Sequence, residues 1–191
     1  MWEKDININE VKEIRVRTTV YFGVGAIKKI EDIAKDLKVK GLDKLIIVTG
    51  KGAYKKTGAW DHVQAALKNN AITYVHYDGV TPNPNTHQVN EAAKMAKEFG
   101  AKAMLAIGGG SAIDAGKSVA ILMENPGKTA EELYEFKFTP EKAAPIIAIN
   151  LTHGTGSEAN RFAVVTILEK NFKPAIAYDC IYPMYSIDDP A

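Results

Sequence analysis

The chain has 191 residues, 46% hydrophobic and 25% charged, with a formal net charge of +1. That composition excludes disorder and low complexity, and so balanced a charge gives no electrostatic ground for binding nucleic acid or an anionic membrane. No apolar run reaches the roughly 18 residues that a membrane-spanning helix requires, and the opening MWEKDININE is too polar for a signal peptide.

In chain order, EIRVRTTVYF (13–22) alternates Ile14, Val16, Thr18 and Val20 and predicts one half-exposed strand, closed by Gly23 and Gly25. Residues 26–37 place Ile27, Ile30, Ala34 and Leu37 at helical spacing. KLIIVT (44–49) is a short continuous apolar run, as in a buried parallel strand. A glycine-bearing turn follows at 50–58, then a helix over 59–69 with Trp60, Val63 and Leu67 on one face. Residues 72–77 predict a strand. The stretch 78–86 predicts a loop, because Pro82 and Pro84 cannot donate to a ladder. A helix over 87–99 turns Val89, Ala92, Ala96 and Phe99 inward. AMLAI (103–107) and PIIAI (145–149) are two more buried strands, with a helix over 111–124 between them. Residues 161–168, 173–179 and 182–188 predict short strands in an antiparallel or mixed extension. Strands alternating with helices imply a parallel α/β sheet with right-handed crossovers, whose ligands bind outside the carboxyl ends of the strands. That edge carries the loops at 50–58, 78–86, 108–111 and 150–157.

The stretch MLAIGGGSAIDAGKS (104–118) turns from strand to helix through three glycines, then presents Ser111, Asp114 and Lys117. Two readings are open. Freed N–H groups at a helix N-terminus suit a phosphate. Equally, Ser111 and Asp114 have the spacing of a capping box, which satisfies the helix end without any ligand. The run is neither a Walker A loop nor a G-x-G-x-x-G turn. NLTHGTGSEAN (150–160) adds Thr152, Thr155 and Ser157 at the same edge, small hydroxylated residues that can bond a ribose or an amide.

Together GGGSAIDAGK and THGTGSE resemble the two glycine motifs of the iron-containing (group III) alcohol dehydrogenases, with YFGVGA (21–26) and DGVTPNPN (78–85) in the expected order. The resemblance covers essentially the whole chain. It implies a Rossmann-like dinucleotide-binding domain spanning 1–191. In it the pyrophosphate lies on Gly109, Gly110 and Ser111, Asp114 sits near the nicotinamide end, and Thr152, Thr155 and Val164 line the cofactor. Lys173 reaches a ribose, and Asn83 sits on the adenine side. Family members that use NAD commonly carry an Asp just after the strand matching 44–49. Here Gly50, Lys51 and Gly52 form an open basic turn, which points to NADP, with NAD the alternative.

The family's metal, Fe²⁺, is held by one Asp and three His in a helical domain. The histidines here are His62, His76, His87 and His153, and none has an i, i+4 partner suited to a metal. The expectation is therefore no catalytic and no metal residue in this chain. It is read as the cofactor half of a two-domain enzyme that transfers hydride between an alcohol or aldehyde and NAD(P). Alone, it is expected to lack appreciable activity and to bind dinucleotide weakly or not at all. Three alternatives stand beside this: a glycerol dehydrogenase or dehydroquinate synthase-like enzyme, a non-catalytic dinucleotide-binding or assembly module, and a phosphosugar-binding flavodoxin-like domain, for which the loop at 150–157 has the wrong shape. The single cysteine, Cys180, excludes an internal disulfide and points to a reducing cytoplasm. Scarce Gln and Cys beside abundant Lys and Glu point to a thermophilic source. An apolar face at 161–188, formed by Ile176, Ile181, Met184 and Ile187, is expected to drive homo-oligomerisation, with a dimer as the simplest form.

Overall fold

The structure is a computed structural model and describes residues 12–15 and 17–191. Alternation over 13–22 does not yield one strand. The chain folds back at Arg17–Thr18, so β1 (Lys12–Arg15) pairs antiparallel with β2 (Thr19–Phe22), Ile14 opposite Val20. Val16, one of the four alternating positions, lies outside the described residues. A short 3-10 turn (Ala26–Lys29) leads into α1 (Ile30–Val39), so the expected helix loses Ile27 to the turn and buries Ile30, Ile33, Ala34 and Leu37. Next come β3 (Lys44–Gly50), a four-residue α2 (Ala53–Lys56) inside the expected turn, and α3 (Ala59–Asn69). Strand β4 (Thr73–Val80) runs three residues past its expected end, which shortens the proline loop to 81–85. Helix α4 (Thr86–Phe99), β5 (Ala103–Gly108) and α5 (Gly110–Glu124) follow as expected in kind. A five-residue α6 (Ala130–Tyr134) was not expected. After β6 (Ile146–Asn150) come β7 (Phe162–Val164), β8 (Ala175–Ala177) and β9 (Tyr185–Asp188).

One seven-stranded sheet has the order β1-β2-β9-β6-β5-β3-β4; every neighbouring pair from β2 to β4 is parallel. Only β7 and β8 form the separate antiparallel extension. The third segment expected there, β9, instead inserts between β2 and β6, where Ile187 stands level with both Tyr21 and Ile149. Along β3, Ile46 and Val48 pack with α4 and α5, whereas Leu45 and Ile47 pack with α1 and α3. Successive strand residues point to opposite faces, so the sheet is covered on both sides. That is why β3, β5 and β6 are continuous apolar runs. Each fully buried Ile, Leu or Val contributes about 1.5–3 kcal/mol over its exposed state.

Helix α5 lies so close to the sheet that a Cβ on Gly116 would stand 2.7 Å from Met104 Sδ. Phe99, expected inward, is only half-buried and carries the Lys44 ammonium 5.6 Å above its ring. Of the four residues expected to form an apolar face at 161–188, Ile176, Ile181 and Ile187 are buried against α5 and the sheet and Met184 is half-buried; the exposed large apolar side chains of this segment are instead Phe162, Leu168 and Phe172. The expected homo-oligomer therefore does not rest on the three isoleucines. Among the described residues no helix is long and apolar enough to cross a membrane.

Candidate functional site

The chain leaves β3 for the edge strand β4, then returns past β3 to β5, so the strand order reverses between β3 and β5. A crevice forms outside the carboxyl ends of strands at such a reversal. At the end of β5, α5 begins at Gly110 with Gly109 as its N-cap and no side-chain capping bond. The capping box expected from Ser111 and Asp114 does not form. The helix end therefore keeps its positive pole and its first N–H groups for another acceptor.

Why glycine is needed here is visible from the loop after β6. A Cβ on Gly109 would come within 2.7 Å of Thr152 Oγ1, and one on Gly110 within 2.8 Å of Thr155 Oγ1. Two threonines thus sit directly on two glycines, and the two motifs form one surface of hydroxyls and backbone amides. The loop is braced from within: Thr152 N–H donates to Asn150 Oδ1 at 3.3 Å, and Ser157 N–H donates to Thr155 Oγ1 at 3.2 Å.

Asp114 is absent from the cap because tertiary partners hold it. Its Oδ1 accepts from the Ser157 hydroxyl, and its Oδ2 accepts from the Val164 N–H at 3.0 Å. Burial raises its pKa, against the lowering effect of Ser157, Val164, Lys117 and Lys173. One helical turn on, the fully buried Lys117 donates to Asn160 O and Phe162 O, both at 2.8 Å, to Asn160 Oδ1 at 3.2 Å and to Ser157 Oγ at 3.3 Å. Sequence reasoning noted Lys117 without giving it a role. The i, i+3 spacing of two opposite charges at the start of a buried helix was the available signal, since such charges need partners inside the fold.

The remaining expected residues lie along the same edge. Gly50 ends β3 opposite Val80, close enough that a Cβ would meet Val80 O at 3.2 Å. Lys51 is exposed, and Gly52 caps α2 in open space. Asn83 holds a left-handed backbone (φ 57), and its Oδ1 accepts from Lys173 Nζ at 2.6 Å. The proline loop is tied to the segment after β7, because Thr166 N–H donates to Pro84 O at 2.8 Å and Thr86 N–H to Thr166 O at 3.0 Å. Lys173 in turn acts electrostatically on Asp114. Gly109, Gly110, Asp114, Thr152, Thr155 and Val164 thus form one group, Asn83 and Lys173 a second beside it, and Gly50 to Gly52 a third at the end of β3.

A family model for iron-containing alcohol dehydrogenases matches residues 17–190. The chain belongs to this family. It is 62% identical over its whole length to the long-chain primary alcohol dehydrogenase of Thermoanaerobacter ethanolicus, of which it covers 48%. It is 33% identical over 172 residues to an NADPH-dependent butanol dehydrogenase of Clostridium saccharobutylicum, covering 89% of this chain and 42% of the relative. Among solved structures, the NADH-dependent butanol dehydrogenase A of Thermotoga maritima superposes with a TM-score of 0.85 at 34% identity, covering 97% of this chain and 46% of that one. This iron-containing alcohol dehydrogenase chain therefore spans about half the length of the relatives it matches.

Measured against the family's iron, the chain's own donors are dispersed. Among the described residues no group of three or more His, Cys, Asp or Glu could hold a metal ion. His76 is half-buried between Tyr54 and Trp60, its Nε2 2.9 Å from Thr49 Oγ1, and burial lowers its pKa. His87 pairs with Glu169 at the surface, and His153 lies edge-on to Phe22. His62 lines a cavity of about 570 Å³ that also reaches Gly25, Thr152, His153 and Asp189. Asp189 is occupied as the cap of the first 3-10 turn, accepting from Gly25 N–H at 3.2 Å and Ile27 N–H at 3.0 Å.

Proposed function

We propose that this chain is the nicotinamide-dinucleotide-binding part of a metal-dependent alcohol dehydrogenase and that it takes NADP in preference to NAD. One observation carries the reading: the uncapped start of α5, with Thr152 and Thr155 seated on Gly109 and Gly110, is a cradle of amides and hydroxyls that any larger residue would fill. The backbone amides of Gly109, Gly110 and Ser111 receive the pyrophosphate. Thr152, Thr155 and Val164 border the nicotinamide side together with Asp114, and Asn83 and Lys173 border the adenosine side. Lys173 has three donors, so it keeps Asn83 while offering others to a ribose. At the end of β3, Gly50, Lys51 and Gly52 present a cation and no carboxylate, which suits a 2′-phosphate.

The bound dinucleotide supplies the hydride-accepting ring. A divalent metal, Fe²⁺ in the family's description, supplies polarisation of an alcohol oxygen. The donors described in this chain do not fit that metal, so its part is confined to binding and orienting the dinucleotide. The substrate in the whole protein is an alcohol or aldehyde, and its setting is a reducing cytoplasm.

Calorimetric titration with NADP and NAD separately tests the reading. The expected result is weak binding, with a dissociation constant on the order of 1 mM for NADP and weaker for NAD, and no alcohol oxidation by the chain alone. Tight NAD binding without NADP binding overturns the cofactor preference. Absence of binding for both at about 10 mM overturns the site.

A further inference from the structure

Lys117 is a fully buried cation to which the dinucleotide reading gives no task. We infer that Lys117 is a positioning residue: with Asp114 it clamps residues 157, 160, 162 and 164 onto α5 and so holds the threonine loop against the glycine turn.

The geometry is a chain of named contacts. The ammonium has three protons and four oxygens within reach, from Ser157, from the Asn160 backbone and side chain, and from the Phe162 backbone. Ser157 receives from Lys117 and passes its own proton toward Asp114, whose other oxygen takes the Val164 amide. Residues 157, 160, 162 and 164 are thereby fixed by two side chains one turn apart. Ser157 also donates its amide to Thr155 Oγ1, and Thr155 is the residue seated on Gly110. A displacement at Lys117 therefore reaches the glycine turn through two hydrogen-bonded residues. The consequence for dinucleotide affinity rests on the function proposed above; the clamp itself does not.

The clamp has a pH signature. Asp114 on α5 and Glu158 on the clamped segment face Lys117 and favour its charge; Tyr134 of α6 and Lys173 face Asp114. Burial outweighs the two carboxylates and brings Lys117 from 10.5 down to about 8. Between those values the unfolded chain binds more protons, so this group's contribution to global stability rises with pH. Opening of the 155–164 segment returns the ammonium to water and so carries the same sign: the open form binds more protons, and protection of the segment rises with pH between those values.

Amide hydrogen exchange on the ligand-free chain, corrected for intrinsic rates, tests this at residues 155–164 with β3 amides as the internal reference. Protection in the wild type is expected to rise as pH passes 8, and protection at 155–164 in Lys117→Met, which leaves four acceptors without their donor, is expected to be about tenfold or more below the wild type at pH 7, with β3 less affected. Lys117→Arg, which keeps the charge and its donors, is expected to restore most of the protection lost in Lys117→Met and to show no step near pH 8. If Lys117→Met fails to fold, Ser157→Ala serves in its place, because it removes the hydroxyl that joins Lys117 to Asp114 while its backbone amide keeps the bond to Thr155. Protection at 155–164 unchanged in Lys117→Met (or in Ser157→Ala where that variant does not fold), or a wild-type profile that falls as pH rises through 8, overturns the inference. NADP titration of the same variants reports separately: a clamp confirmed by exchange in a chain that binds no dinucleotide overturns the proposed function and leaves the clamp standing.

Discussion

Replacing Gly109 with alanine is expected to destabilise the chain by about 1–3 kcal/mol, the usual range for forcing a methyl group into packed space. The new Cβ stands 2.7 Å from Thr152 Oγ1 and 3.1 Å from Thr152 Cγ2, and a β-branched side chain has little freedom to turn away. Thr152→Ala removes both atoms and leaves the remaining contact at 3.5 Å, an ordinary van der Waals distance. The double variant Gly109→Ala/Thr152→Ala should therefore be less destabilised than the sum of the single variants, with a coupling of about 1 kcal/mol or more. Denaturant unfolding of the four proteins measures it. Strict additivity would show that the threonine loop does not rest on the glycine turn. NADP affinity should fall at least about tenfold in Gly109→Ala, since the cradle loses the shape on which the amides depend.

Coenzyme preference is the second large effect. Gly50→Asp places a carboxylate at the carboxyl end of β3, where it would accept from a ribose 2′-hydroxyl and repel a 2′-phosphate. The substitution fits the backbone with a small adjustment, because the Cβ meets Val80 O at 3.2 Å. The ratio of NADP to NAD affinity is expected to shift toward NAD by about tenfold or more, equivalent to about 1.4 kcal/mol. Lys51→Glu, at an exposed position, should act in the same direction by weakening NADP alone. An unchanged ratio in both variants would remove the turn from coenzyme selection. The chain is similar both to a relative named for NADH and to one named for NADPH, which is why the proposed preference is placed on local residues such as these.

Legibility in the sequence followed the range of the interactions involved. Strands β3, β5 and β6 were readable because burial on both faces demands unbroken apolar runs, and α3 and α4 because one face of each meets the sheet. The β1–β2 hairpin was not, since its turn at Arg17–Thr18 carries neither glycine nor proline and the alternation runs straight through it. Strand β9 was recognised as extended but misplaced, because its partners β2 and β6 are chosen by distant residues that no local pattern encodes. The short α6 did leave a signal: Thr129 and Glu132 form a reciprocal capping box.

In the site, the glycines and threonines could be identified from the motifs, while their contact could not. The same limit applied to Asp114. Its spacing from Ser111 fits a cap as well as a tertiary anchor, and the choice was made by Ser157 and Val164, 43 and 50 residues further on.

The central claim is that the glycine turn and the threonine loop form one dinucleotide cradle. Amide chemical-shift mapping during titration with NADP tests it most directly. The account predicts that the largest shifts fall together on Gly109, Gly110, Ser111, Thr152 and Thr155, with smaller ones at Lys51 and Lys173. Shifts confined to the cavity beside Gly25, His62 and Asp189, with the glycine turn unmoved, would contradict it.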